Sequence, residues 1–205
     1  MGQLTNELMG LLSIAVLLLV GALIWYLIKY KKTHYKPEKR KKKVEATLRK
    51  FAALRKYKVL SNVKLGDTVV DHILLGYFGL VFVNDLCEQG YYYGRLEDSN
   101  WICSDSPETL EKKGTMKRVT VENPLPLGEN AIRALREHLS KKSIYKIGME
   151  NVAVITDNSS VIQITGSKEK VMNLKGLSSM LSKSKYSSDA GLDIDKIEQA
   201  ILELQ

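Results

Sequence analysis

Few residues in this sequence have the type and setting to do chemistry. Asp71 interrupts an apolar, β-rich run, TVVDHILL, and His72 follows it directly. A lone carboxylate in such a run is either a functional group or a buried acid satisfied by backbone amides, by His72 or by a neighbouring Arg. Successive side chains on a strand point to opposite faces, so His72 lies on the other side, where a packing or surface role is the plain expectation. The run Tyr91-Tyr92-Tyr93 could stack on nucleobases, or be a strand that carries aromatic pairs on both faces. Cys87 and Cys103 are the only cysteines; with no CxxC and no Cys or His at metal-ligand spacing, they exclude a structural zinc site.

The strongest chemical signal is charge, and its distribution decides what it means. The chain of 205 residues has a formal net charge of +8. Residues 29–58 hold 14 Lys and Arg against Glu38 and Glu45, whereas residues 59–205 hold 17 basic groups against 20 acidic ones, a net of −3. A nucleic-acid reading based on the overall charge therefore applies to the basic segment and not to the rest of the chain. Within it, the run from Lys36 to Lys43, which includes Lys39, Arg40, Lys41, Lys42 and Lys43, has two readings. It contacts nucleic acid, or it sets membrane topology and lies on anionic lipid headgroups at about 1 kcal/mol per basic residue.

The second reading is favoured by what precedes it. Leu11 to Ile28 is a stretch of 18 residues without a charge. At about 1.5 Å per residue it spans most of a ~30 Å hydrocarbon core, which predicts one transmembrane helix. Trp25 and Tyr26 stand at its end as interfacial anchors and Lys29 follows as a snorkelling cation. The first ten residues contain no Lys or Arg, unlike a signal peptide, and the flank after the span holds nine basic residues in fifteen. The positive-inside rule then predicts a single-pass protein of the cell membrane with residues 1–10 outside and the remainder in the cytoplasm, a reducing compartment that keeps both thiols free.

Positioning falls to the segment after the basic linker of residues 29–43. Residues 44–57 have helical periodicity, and strands are expected at 59–65, 68–75, 80–83 and 91–93, with Gly66-Asp67 and Gly76 to Gly79 as turns. A polar loop after Trp101, a short strand at 119–121 and a proline-rich turn, NPLPLGEN, lead into a helix over 130–141. Strands at 152–156 and 161–165 and helices over 171–181 and from Asp193, a plausible N-cap, complete the pattern. Such an order predicts an α/β domain over residues 44–205, with a mixed sheet flanked by helices.

The strings VLSNVKLG, VVDHILLGYFGLVFV, NPLPLGENAIRAL and VAVIT, with the aromatic-glycine stretch and Trp101 between them, resemble the NERD (nuclease-related domain) family over about residues 45–200. The resemblance implies a restriction-endonuclease-like fold, and many members carry a transmembrane segment. It also implies a magnesium centre in which an Asp and a Glu hold the ion and a Lys helps stabilise charge on the phosphate. Asp71 matches the first acid and would be its metal ligand. At the implied Glu-x-Lys positions stand Asn84 and Leu86, so the usual centre is broken twice. Glu129 falls near a position where the family commonly has Gln; Asp85, on the opposite strand face from position 84, could serve only through a bulge, whereas Glu88, Glu129 or Glu137 could supply a migrated carboxylate, and Arg133 or Arg136 a migrated charge. The expectation is a catalytically inactive, membrane-tethered binding or scaffold module without a cofactor, whose partners are the bilayer and a protein or nucleic acid. The alternative is a divergent magnesium-dependent nuclease acting on DNA or RNA.

Overall fold

The computed structural model describes residues 17–26, 37–107, 117–167 and 169–205. The chain falls into two compact units, Met1–Lys39 and Arg40–Gln205. Of the span expected over 11–28, residues 17–26 are helical and exposed; the remainder, together with Lys29, lies outside the described residues. Among the described residues no helix is long and apolar enough to cross a membrane. The interfacial residues Trp25 and Tyr26 are 63% and 59% exposed.

Helix α1 (Pro37–Ala53) begins seven residues earlier than periodicity predicted and takes in most of the basic run. The apolar repeat Val44, Leu48 and Ala52 marks only the buried part of the helix, and the basic residues before it carry no apolar period to read. Strands β1 (Lys58–Leu65), β2 (Thr68–Gly76) and β3 (Gly79–Leu86) form an antiparallel meander. Strand β7 (Met149–Ile155) adds parallel to β3, and β9 (Val171–Asn173) parallel to β7, giving the order β1-β2-β3-β7-β9. Its central strands are covered on both faces, which is why β3 and β7 read as nearly unbroken apolar runs.

The single mixed sheet expected from the sequence is in fact two. Strands β4 (Tyr91–Arg95), β5 (Asn100–Ser104), β6 (Arg118–Glu122) and β8 (Val161–Thr165) form a second sheet in the order β6-β5-β4-β8. Only Trp101, Cys103 and Ser104 of β5 are buried, too short a pattern to announce a strand. The two sheets meet over a core that contains Tyr92, Trp101, Ile155 and Ile164.

Helices cover both faces of the first sheet. Helix α2 (Leu125–Lys141) and α4 (Ile194–Leu202) pack on Ile73, Leu75, Leu80 and Phe82, while α1 and α3 (Leu174–Leu181) pack on Leu74, Val81 and Val83. The helix α2 starts five residues before the expected position, because its prolines sit in the first turn, where a missing N–H is one that the helix does not use. The helix expected over 171–181 opens as strand β9; α3 begins only after Asn173, whose side chain accepts from the Gly176 N–H at 2.9 Å. Asp193 caps α4 as its type suggested, accepting from the Lys196 N–H at 3.0 Å.

Candidate functional site at the ends of β2 and β3

In the antiparallel register of β2 and β3, His72 lies opposite Val83. Continuing that register by one step sets Asp71 across from Asn84, so the first two positions of the implied centre lie on neighbouring strands, just past the end of their paired stretch. The side chains there do other things. Asp71 Oδ2 accepts a hydrogen bond from the backbone N–H of Asp85 at 2.9 Å. A carboxylate in that role ties its side chain to the backbone of the neighbouring strand, just beyond the paired stretch His72–Gly76 of β2.

Asn84 is 4% exposed, and its Nδ2 points at Asn151 Oδ1 over 3.5 Å, the outer limit of a hydrogen bond. Asn151, from β7, donates in turn to the Leu125 carbonyl at 2.7 Å. An amide relay thus runs from β3 through β7 to the first residue of α2. Space around it is tight: a Cβ on Gly128 would stand 2.2 Å from Asn151 Oδ1, so only glycine lets the helix approach this closely. Leu86, at the implied lysine position, is 4% exposed and packs in the core between the two sheets.

Asp85 goes the opposite way. Its side chain has no exposure and its Oδ2 lies 3.1 Å from Nε2 of His72, whose side chain is 5% exposed. Nδ1 of the same ring lies 3.0 Å from Ser61 Oγ on β1. His72 is therefore a buried, doubly bonded member of a cross-strand network, not a surface residue. Glu45 of α1 adjoins this network. Its carboxyl is held below the usual range by the Arg49 hydrogen bond, with burial opposing and His72 and Ser61 adding smaller pulls.

The remaining candidates do not converge on Asp71 as ligands. Glu129 is exposed in the first turns of α2 and pairs with Lys170 at 3.5 Å. Glu88, Arg133, Arg136 and Glu137 all face solvent. Among the described residues no group of three His, Cys, Asp or Glu is arranged to hold a metal ion. A magnesium ion does not fit the donors at this corner: Asp71 supplies a carboxylate, but Asn84 supplies a neutral amide turned to Asn151, and a buried leucine occupies the lysine position. Of the basic run, Lys42 and Lys43 are exposed, while the side chains of Lys39, Arg40 and Lys41 lie outside the description. Both cysteines are free thiols.

Sequence reasoning missed the Ser61–His72–Asp85 and Asn84–Asn151–Leu125 connections. The available signal was Asn151, a polar side chain in the run VAVI-preceding MEN of a strand that is otherwise buried. The Asn123-Pro124 turn, by contrast, shows why it is a specific marker. Asn123 is 2% exposed; its Nδ2 donates to the carbonyls of Leu96 and Asp98 at 2.9 and 2.7 Å, and its Oδ1 accepts from the Leu125 N–H at 3.0 Å. One buried amide ties the β4–β5 connection to the start of α2.

Two mixed sheets flanked by helices, with an acid within the second strand of a meander, form an architecture consistent with the restriction-endonuclease-like class. A family model for the nuclease-related domain, NERD, matches residues 36–156. That is more than half of the sequence, and the chain belongs to the NERD family. The match starts at the basic run and ends just after β7, short of the reach to about residue 200 read from the sequence. No curated protein and no solved structure gives a match.

Proposed function

We propose that this chain is a membrane-tethered NERD domain without nuclease activity, which serves as a binding or scaffold module at the cytoplasmic face of the cell membrane. The observation that carries the inactivity is the occupation of the implied centre. Asn84 is buried against Asn151, Leu86 is in the core, and Asp85 is turned to His72. A metal nuclease needs two or more carboxylates converging on one ion and a cation beside the phosphate, and neither requirement is met by these side chains.

The tether rests on the uncharged run Leu11 to Ile28, the anchors Trp25, Tyr26 and Lys29, and the charge asymmetry across it. The partners of this reading are the bilayer, its anionic headgroups, and a protein or nucleic acid held beside it. Two experiments test the halves separately. The full chain should remain with membranes through alkaline carbonate extraction; release into the supernatant sinks the tether. Incubated with magnesium or manganese and single- or double-stranded DNA or RNA, it should cleave no more than Asp71→Ala does. Cleavage abolished by that substitution establishes the alternative, a divergent magnesium-dependent nuclease.

A further inference from the structure

The outer side of α1 carries more than charge. Lys50 and Leu54 follow Thr47 at helical spacing, and Leu54 is 79% exposed, the most exposed large apolar residue described. Beside it, between α1 and α3, lies a groove of about 330 Å³ whose walls include Phe51, Leu54 and Leu181, with Lys50 and Arg55 at its rim and no acidic residue in its lining. The Arg55 guanidinium lies 4.2 Å from the centre of the Phe51 ring, so the cation and the apolar surface are held together. Lys42 on α1 and Lys56 just after it are also exposed.

An isolated exposed leucine needs no explanation, but an apolar groove whose charged lining residues are both cations, with the hydroxyls of Thr47, Ser178 and Ser182 beside them, has a chemistry of its own. Phosphate backbones reward the cations and gain nothing from Leu54 or Phe51. The boundary between headgroups and acyl chains rewards both, which is the pattern of interfacial helices: apolar side chains enter a few ångströms while Lys and Arg meet anionic phosphate and carboxylate groups.

We infer that the α1–α3 groove, through Leu54, Phe51, Lys50 and Arg55, docks the domain on an anionic lipid bilayer. The inference deepens the tethered reading and rests on it for proximity, but the contact itself is set by the groove. Docking of this kind fixes which face of the domain is turned away from the membrane and open to a partner. Single-residue anchorage would leave the domain free to turn.

The test uses the full chain reconstituted in vesicles, with Leu54→Cys introduced and the native Cys87 as the internal reference for maleimide labelling read by mass spectrometry. In vesicles with about a third phosphatidylserine, labelling at position 54 relative to Cys87 should slow about tenfold compared with phosphatidylcholine vesicles, and high salt should restore it. Adding Lys50→Glu and Arg55→Glu should restore it as well. Buried Cys103 reports folding by staying unreactive in every variant. Equal labelling in the two lipids overturns the docking, as does protection that requires added DNA or RNA instead of anionic lipid. Release by carbonate with position 54 still protected by phosphatidylserine vesicles refutes the tether alone.

Discussion

At the ends of β2 and β3 the polar groups face one another; along the outside of α1 they face solvent. Asp71, Asp85, His72, Asn84 and Asn151 each meet a partner within the fold. Lys42 and Lys50 lie open on the helix surface. The contrast follows from the cost of burial. A polar group inside the domain must be bonded or it destabilises the fold by about 1–3 kcal/mol, so burial commits it to structure. An exposed cation carries no such obligation and stays available to an external partner. In a family named for nucleases, the residues at the implied positions are here bonded or packed within the fold, whereas the cations of α1 are exposed.

The most severe way to break this contrast is to reinstall the implied residues. Asn84→Glu with Leu86→Lys would put two charges into packed surroundings and should lower stability by roughly 3–5 kcal/mol in denaturant titration, without producing cleavage. A stable double variant that cuts DNA with magnesium would show that the corner is a catalytic site missing only its ligands. Next in size, Asn123→Ala removes three hydrogen bonds, one of them from the buried Leu125 N–H and two to half-buried carbonyls, which should cost about 2–4 kcal/mol by the same measurement. A loss below about 0.5 kcal/mol would mean that the start of α2 is held elsewhere.

The cysteines sharpen the distinction between interior and surface. Burial, with Glu88 adding, pushes the Cys103 thiol up to about 11 from an ordinary value of 9.0. At pH 8 it therefore has roughly 100-fold less thiolate than an ordinary cysteine, and Cys87, half-buried, should be alkylated first. The sign of the linkage is fixed. A thiol whose folded pKa is raised favours the folded state up to about pH 9, and that contribution falls as pH rises toward 11. Comparable labelling of the two thiols at pH 8 would contradict the buried environment. The smallest effect belongs to the open face: Lys50→Gln should change folding stability by less than about 0.5 kcal/mol while weakening attachment to anionic lipid. A large stability loss would mean that Lys50 supports the fold.

Much of this arrangement can be read from residue pattern. Alternation and turn residues placed β1 to β4, the apolar repeats found the buried parts of the helices though not where α1, α2 and α3 begin, and Asp193 marked a cap, because those signals report local geometry directly. The second sheet was not legible, since it depends on β5, a strand of five residues, and on a parallel pairing between β4 and β8 across more than sixty residues. At the candidate site, the departures at Asn84 and Leu86 stood out as residue types. What replaced the implied chemistry did not, because the bonds from Asn84 to Asn151 and from His72 to Asp85 join residues that only the folded sheet brings together.

The account stands most directly on whether Asp71 is a structural carboxylate or a metal ligand. Manganese binding to the full chain, followed by electron paramagnetic resonance, decides between them. The account predicts no bound manganese that disappears in Asp71→Ala, and a fold destabilised by loss of the bond to the Asp85 N–H. Stoichiometric manganese binding abolished by that substitution would contradict it.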